Sequence, residues 1–568
     1  MNTKTLRISC AQLSFPVGAI QENKDKIINT LKEAEKVHSD IVLFPELALT
    51  GYPPEDLLLR ESFVGKNFAV MEEIAEFSGK TSGVIGFVDR SLKKQKNDNV
   101  DRDIANAAAI VQNGDVKGIY HKCFLPNYSV FDEARYFDKG TNPSTLFWYE
   151  DIAVGINICE DIWIEDGPAE EQVKKGASII LNINASPFDL NKINQRKDKV
   201  KNKAKKLGVP IVYLNMVGGQ DELVFDGGSF VVDKNGEIIY MAPQFEEDFF
   251  TLDVELDIKD IISESNLYLN DKNVKLEPLV STKELDKIES MYAALKLGLS
   301  DYVTKNKFNK VLVGLSGGID SALTATIACD ALTPERVIGV AMPSKYNPES
   351  SLDDAKQLAK NLGINIKEIT IEDTVENIRT LVSANIEEQL KSVVDENIQS
   401  RVRGNLLMAL SNQLNAMVVS TGNKSEMAVG YATLYGDLVG GFALLKDVYK
   451  ADVYNLAKYR NSISEVIPQN TIDKEPSAEL SENQFDSDSL PDYDTLDKII
   501  KLYIEEDFSS EKIINSGIDK NVVYDVLEKI DRNEYKRNQV APGVKLTNRA
   551  FGKDRRMPIT NTYKRERN

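Results

Sequence analysis

Residues 310–332 read KVLVGLSGGIDSALTATIACDAL. The apolar run KVLVGL predicts a buried strand, and DSALTATIACDAL predicts a helix. Between them, Gly317 and Gly318 permit a tight turn and a close approach of backbone to ligand. Such a turn gathers free N–H groups at the positive end of the helix, which makes an anion site from Gly314 through Leu315, Ser316, Ile319 and Ser321. Ser316 and Ser321 add hydroxyl donors. Asp320 is the informative residue. A carboxylate beside a phosphate cradle repels the ligand unless a cation bridges them, so the loop implies Mg²⁺. The motif is not GxxxxGK[ST], and no GxGxxG occurs in the chain.

Outward from this loop, the strand RVIGVAM and the helix DDAKQLAKNLG follow, and a helix over 283–306 precedes it. This rhythm predicts a doubly wound parallel sheet, an α/β fold. The first ~255 residues show a second α/β pattern. Strand candidates there are LRISCAQL, IVLFPEL, GVIGFV, AAAIV, IAVGINIC, SIILNIN and PIVYLNMV, and helix candidates are 21–37, 63–78, 168–175 and 192–207. Strands apolar on both faces and separated by helices predict a mixed sheet covered by helices. The expected domains are 1–255 and 286–568, joined by an acidic, aperiodic connector over 256–285. Segments 91–103 and 477–494 read as surface loops.

Composition narrows the chemistry. The chain has 568 residues, a net charge of −19, four cysteines and two histidines. The charge disfavours nucleic acid as a partner. No apolar stretch approaches the ~20 residues of a membrane span, and the N-terminus has no signal-peptide pattern, so a cytoplasmic location is expected. The cysteines are unpaired in sequence, which argues against a disulfide scaffold or a structural zinc site. With only His38 and His121, covalent catalysis calls for a base other than histidine. Between Glu534 and the C-terminus, ten Lys/Arg stand against three acids. That basic tail reads equally as a solvated end or as a local phosphate site.

Four stretches make the second half more specific: 420–437 (STGNKSEMAVGYATLYGD), 476–480 (PSAEL), 490–494 (LPDYD) and 536–545 (KRNQVAPGVK). Together with the SGGxDS loop, which resembles that of enzymes splitting ATP into AMP and pyrophosphate, they resemble the signature of NAD synthetases. The resemblance spans about 310–560. It implies a Rossmann-like, ATP-pyrophosphatase domain in which residues 314–321 and Thr421 hold ATP. By the same resemblance Asp320 and Glu426 hold Mg²⁺, and Asn397, Glu426, Tyr431, Ala432, Thr433, Leu434 and Lys536 face deamido-NAD. Both substrates are polyanions, so the C-terminal cations are expected to assist.

In the first half, Glu46, Lys122 and Cys159 each stand at the C-terminal end of a predicted strand, where α/β folds place ligands. A lone strand cysteine is more often a small core residue. An acid, a base and a thiol on neighbouring strand ends are rarer. They resemble the Glu-Lys-Cys constellation of the nitrilase (carbon–nitrogen hydrolase) superfamily, which implies an α-β-β-α sandwich. In that resemblance Cys159 attacks a glutamine amide, Glu46 moves the proton and Lys122 stabilises the oxyanion. Tyr128 in LPNYSVFDE, Ser186 in NASPF and Lys192 are implied to bind glutamine; the superfamily often has arginine where Lys192 stands. His121 reads as structural, and Cys10, Cys123 and Cys329 as inert thiols.

The two resemblances together imply a glutamine-hydrolysing ligase that converts deamido-NAD, ATP and glutamine to NAD, AMP, pyrophosphate and glutamate. Neutral ammonia would pass between the sites, for which a closed tunnel is expected. The NAD synthetase resemblance also implies a homo-oligomer. The alternative is another glutamine-dependent amidotransferase of the ATP-pyrophosphatase group. It would carry a histidine triad or a cysteine at position 2, where this chain has Asn2.

Overall fold

The computed structural model describes residues 2–91, 103–258 and 265–563. Residues 92–102 of the expected loop and 259–264 of the expected connector lie outside the described residues. The chain divides into two compact units, one of 1–220 with 224–285 and one of 221–223 with 286–568.

The first unit holds two six-stranded sheets. One orders its strands as Asp248–Ile258, Asn2–Gln12, Ile41–Leu43, Ser82–Arg90, Ile104–Gln112 and Asp115–His121. The other orders them as Ile238–Met241, Phe230–Val232, Ile211–Asn215, Ile179–Asn184, Ile152–Ile158 and Leu146–Tyr149. Side chains alternate across each strand, so one face of each sheet meets the other sheet. Ile8, Leu43, Val84 and Ile110 of the first sheet share a core with Ile156, Ile158, Leu181 and Leu214 of the second. The outer faces carry helices. Ile27, Leu31, Val70 and Ile74, from helices Ile20–Lys36 and Glu61–Glu76, pack against Val42, Ile85 and Ala109. Ala169, Val200 and Ala204, from Pro168–Lys174 and Lys192–Leu207, pack against Ile180, Ile211 and Phe230. The layering is α-β-β-α.

Two strand expectations need correction. The strand read as IVLFPEL ends at Leu43, because the chain turns at Phe44-Pro45 and Leu47 adopts φ +49°. Glu46 therefore sits on a loop beyond the strand. The stretch after Asp248 runs on as a strand to Ile258, paired antiparallel with the N-terminal strand along its whole length. Its acids face outward while Val254 and Leu256 are buried. Beyond it, Asn270 bonds to the Asp40 carboxylate and Ser281 to the Met241 N–H, so this stretch packs on the first unit.

The second unit is built on a five-stranded sheet, ordered Asn365–Glu368, Val337–Ala341, Lys310–Gly314, Ala416–Ser420 and Phe442–Ala443. Every pairing is parallel. Leu312, Val340 and Val418 pack with Val402 and Leu407 of helix Ser392–Leu414 on one face. Helix Ile319–Leu332 packs on the other, between the sheet and helices Lys287–Lys305 and Lys450–Ile463. It is buried almost all round, and its Ala and Thr side chains suit a helix packed on several sides. In sequence order the strands run 3-2-1-4-5, so the connections reverse direction between Lys310–Gly314 and Ala416–Ser420. Open α/β sheets bind ligands at such a switch point. The expected loop over 477–494 ends early: Asp492 caps a helix, Tyr493–Ile500, through the Thr495 N–H. That helix packs with Lys520–Arg532 and Lys424–Val429 through Leu496, Leu527 and Met427.

Candidate functional sites

In the first unit, Glu46, Lys122 and Cys159 are brought together and are almost fully buried. The Lys122 ammonium donates to Glu46 Oε1 at 2.6 Å and to both carboxylate oxygens of Glu133 at 2.8 Å. Glu46 also accepts from the Asn106 amide at 2.8 Å and the Ala185 N–H at 3.0 Å. The Tyr52 hydroxyl donates to Glu133 at 2.8 Å. Burial disfavours the Lys122 charge, but Glu133 and Glu46 outweigh it and hold the ammonium charged. Burial pushes Glu133 up to about 7 against the pull of Lys122. Glu133 was within reach of sequence reading, since it lies in the FDE of the stretch around Tyr128.

Cys159 directly follows strand Ile152–Ile158 and opens a 3-10 turn, with φ +42°. This is a left-handed conformation that a side chain adopts only when its surroundings hold it. Burial pushes the thiol well above its ordinary range, Glu46 adds to this, and Lys122 opposes it. The thiol is therefore protonated at rest and needs a base to become a nucleophile. The Asp161 carboxylate in the same turn accepts four bonds. They come from the N–H groups of Ile158, Cys123 and Phe124 and from the Tyr120 hydroxyl, at 2.8–3.1 Å.

The residues implied for glutamine stand differently. Tyr128 is half exposed and donates to Glu160 at 2.9 Å. Lys192 sits 4.8 Å from the centre of the Trp163 ring, and burial lowers its pKa, with Arg196 adding to the effect. Ser186 is buried, and its hydroxyl and carbonyl accept from Arg196. Arg196 is itself fully buried and paired with Asp226 at 2.6 Å, a supporting layer that sequence reading missed. His121 bonds Asp89 at 2.7 Å, and Cys10, Cys123 and Cys329 are buried and free.

In the second unit, a cavity of about 480 Å³ opens at the switch point. It is lined by Gly314, Leu315, Ser316, Gly318, Ile319, Asp320, Ser321 and Thr421, and by Asn397, Glu426, Tyr431, Ala432, Thr433 and Lys536. Two expected contacts are not on the lining. Gly317 backs the turn at φ +82°, where an added Cβ would stand 2.3 Å from the Ser351 carbonyl oxygen. Leu434 packs against the helical cluster after residue 490 instead. Gly318 caps helix Ile319–Leu332, and its N–H donates to Ser316 Oγ at 3.2 Å. Asp320 accepts from Asn423 at 2.8 Å and from Lys450 at 2.5 Å, and Lys450 also reaches Glu426 at 3.4 Å. Burial raises Glu426 to about 8; Lys450 opposes, and Asp320 and Asp486 add to the rise.

Lys450 was missed in the sequence because its motif carries no signal apart from its partners. Arg403 and Glu479 also line the cavity. Burial pulls Arg403 down to about 10, with Glu479 opposing. Three cations of the basic tail are engaged within the unit. The Lys536 ammonium holds the carbonyls of Gly430 and Ala432 at 2.8 Å. Arg537 is buried against backbone carbonyls and Glu534, and Lys545 against the Thr547 carbonyl. These cations satisfy helix-end and loop carbonyls within the unit. Among the described residues, no three His, Cys, Asp or Glu are grouped to hold a metal, and no helix is long and apolar enough to cross a membrane.

Comparison with known proteins agrees with this division. A carbon–nitrogen hydrolase model matches residues 7–263, and an NAD synthase model matches 291–540. The glutamine-dependent NAD(+) synthetase of Thermotoga maritima is 46% identical over 585 aligned residues, covering 99% of both chains. That of Aquifex aeolicus is 45% identical and covers 98% of this chain and all of its own. A solved glutamine-dependent NAD(+) synthetase from Acinetobacter baumannii, in complex with ADP, superposes with a TM-score of 0.74 at 40% identity and covers 98% of each chain. One from Cytophaga hutchinsonii, 22% identical with a TM-score of 0.82, shares the fold. With both units accounted for over nearly the full length, the chain belongs to the family of glutamine-dependent NAD(+) synthetases.

Proposed function

We propose that the protein amidates deamido-NAD to NAD at the expense of ATP, with ammonia cut from glutamine in its first unit. The observation that carries the reading is the buried Glu46–Lys122 contact beside Cys159. Glu46 takes the Cys159 proton as sulfur attacks the glutamine side-chain amide carbon. Lys122 stabilises the oxyanion, the proton passes to departing ammonia, and water releases glutamate from the thioester. Tyr128, Ser186 and Lys192 orient glutamine, with the Lys192 cation suited to its α-carboxylate.

In the second unit, the loop 314–321 and Thr421 hold the ATP phosphates. Asn397, Glu426, Tyr431, Ala432, Thr433, Leu434 and Lys536 form the deamido-NAD side; Leu434, off the lining, acts through its neighbours. The nicotinate carboxylate oxygen attacks the α-phosphorus and expels pyrophosphate. Ammonia then displaces AMP. Asp320 and Glu426 share one ammonium and are thus close enough to act together. Two carboxylates beside substrate phosphates are the donor set Mg²⁺ prefers, and the residues fit that ion. Asp320 and Glu426 would hold the ion, which would supply charge neutralisation for the pyrophosphate leaving group.

The glutaminase reaction belongs to the first unit, which includes the stretch up to 285, and the synthetase reaction to the unit that holds 286–568. Association into a homo-oligomer, through pairing of the synthetase units, belongs to the same proposal. The test is NAD formation by Cys159→Ala with deamido-NAD, ATP and Mg²⁺, supplied with glutamine or with an ammonium salt. Ammonium is expected to work and glutamine to fail. Continued use of glutamine would remove Cys159 as the nucleophile.

A further inference from the structure

Asp161 is fully buried, and no cation is bonded to it among the described residues. A buried carboxylate without an ion pair is costly unless its lone pairs are filled. Here four donors fill them, and their origin is informative. Oδ1 accepts from the N–H groups of Cys123 and Phe124, at 3.1 and 3.0 Å. These are the two residues directly after Lys122. Oδ2 accepts from the Ile158 N–H at 3.1 Å, the residue directly before Cys159, and from the Tyr120 hydroxyl at 2.8 Å. Lys122 and Cys159 belong to segments that leave different sheets. The carboxylate thus ties the lysine segment to the cysteine turn with bonds on both sides of the joint. The turn it grips is the strained one, with Cys159 at φ +42°.

We infer that Asp161 is the positioning residue that sets Cys159 against Lys122, so that the thiol and the oxyanion-stabilising ammonium meet the glutamine amide in register. The inference rests on the assignment of Cys159 as nucleophile. Only an acceptor-only group serves here, because all four partners donate. In Asp161→Asn one oxygen becomes an NH₂ that faces donors, so one side of the tie must open. Small misplacements of reacting groups cost rate more than affinity when the substrate is held by other residues.

The experiment measures steady-state NAD formation with glutamine and with ammonium for the full-length wild type, Cys159→Ala, Asp161→Asn and Tyr120→Phe. Tyr120→Phe removes a single donor from a buried ring and conserves its shape, so it guards against a folding defect in Asp161→Asn. Alkylation of Cys159 by iodoacetamide is followed against pH in the wild type, Asp161→Asn and Tyr120→Phe, with Cys159→Ala as the background control. For Asp161→Asn the glutamine-driven kcat is expected to fall roughly 100-fold with the glutamine KM within about threefold, and ammonium-driven synthesis to stay intact. Tyr120→Phe is expected to lower the same kcat about threefold to tenfold. The pH profile of alkylation should move in both. If glutamine-driven kcat and the alkylation profile are unchanged in Tyr120→Phe, and Asp161→Asn either matches wild type or loses both activities together, the inference is overturned. Glutamine use by Cys159→Ala would instead overturn the nucleophile assignment itself.

Discussion

Replacing Lys122 by Met keeps an apolar stem of similar length and removes the charge between Glu46 and Glu133. Both carboxylates are buried, and Lys122 is their shared partner. Breaking a buried pair by deleting one member costs about 3–5 kcal/mol, because the charge left behind has no solvent to compensate it. For a unit of this size that lowers its unfolding temperature by roughly 10 °C. The pH dependence is more diagnostic. In the wild type burial puts Glu133 at about 7, so its slope is half spent at pH 7 and fades by pH 8, a loss of about 0.4 kcal/mol over that unit. Without Lys122, the largest influence holding that value down is gone and Glu133 moves further up. A group whose folded pKa is raised stabilises below its unfolded value, and that stability is lost as pH rises through the folded one. Glu133 in the variant stays protonated across pH 7–8, and stability falls by about 1.4 kcal/mol over that unit. The gap between variant and wild type should therefore widen from pH 7 to pH 8. Scanning calorimetry at the two pH values, following the transition of the first unit, measures both quantities. A loss below about 1 kcal/mol, or a gap that stays constant or narrows with pH, would refute the account of Lys122 as the charge on which two buried acids depend. Glutamine-driven synthesis should vanish in the variant while ammonium-driven synthesis persists.

Tyr52→Phe removes the hydroxyl that donates to Glu133 and helps keep its pKa down. The acidic limb of the glutamine-driven pH–rate profile should shift upward by a few tenths of a unit, with the ammonium-driven profile unmoved; a shift in the other direction would contradict the proposed network. Gly317→Ala places a Cβ 2.3 Å from the Ser351 carbonyl at φ +82°, so synthesis from either nitrogen source should drop at least roughly tenfold while glutamine hydrolysis survives. A selective loss of hydrolysis in that variant would count against the ATP-loop assignment. Lys192→Met removes the cation beside Trp163, and the glutamine KM should rise roughly tenfold or more with ammonium use unchanged; an unaltered KM would place the α-carboxylate elsewhere.

What the sequence alone determined is local in origin. The turn at 314–321 is legible because strand, glycines, N-cap and helix are consecutive, and each constrains the backbone of its neighbours. The strands around Cys159 are legible because residues buried on both faces leave a continuous apolar run. Glu46 and Lys122 could be singled out by their place just beyond such runs, though the loop that carries Glu46 off its strand could not be foreseen. The strand Asp248–Ile258 escaped reading because its outward acids look like a solvated connector. Its inward residues acquire meaning only opposite residues 2–12, some 240 positions away. The same holds for the charges that complete each site. Lys450 meets Asp320 across 130 residues of chain, and Asp161 reaches the Cys123 N–H across 38. A buried charge has no local signature; what makes it stable is a partner, and partners are chosen by the packing of sheets and helices. Tertiary structure alone decided that the tail cations Lys536, Arg537 and Lys545 hold carbonyls, that Glu133 shares the lysine of Glu46, and that the carboxylate in the cysteine turn is tied to the segment after Lys122.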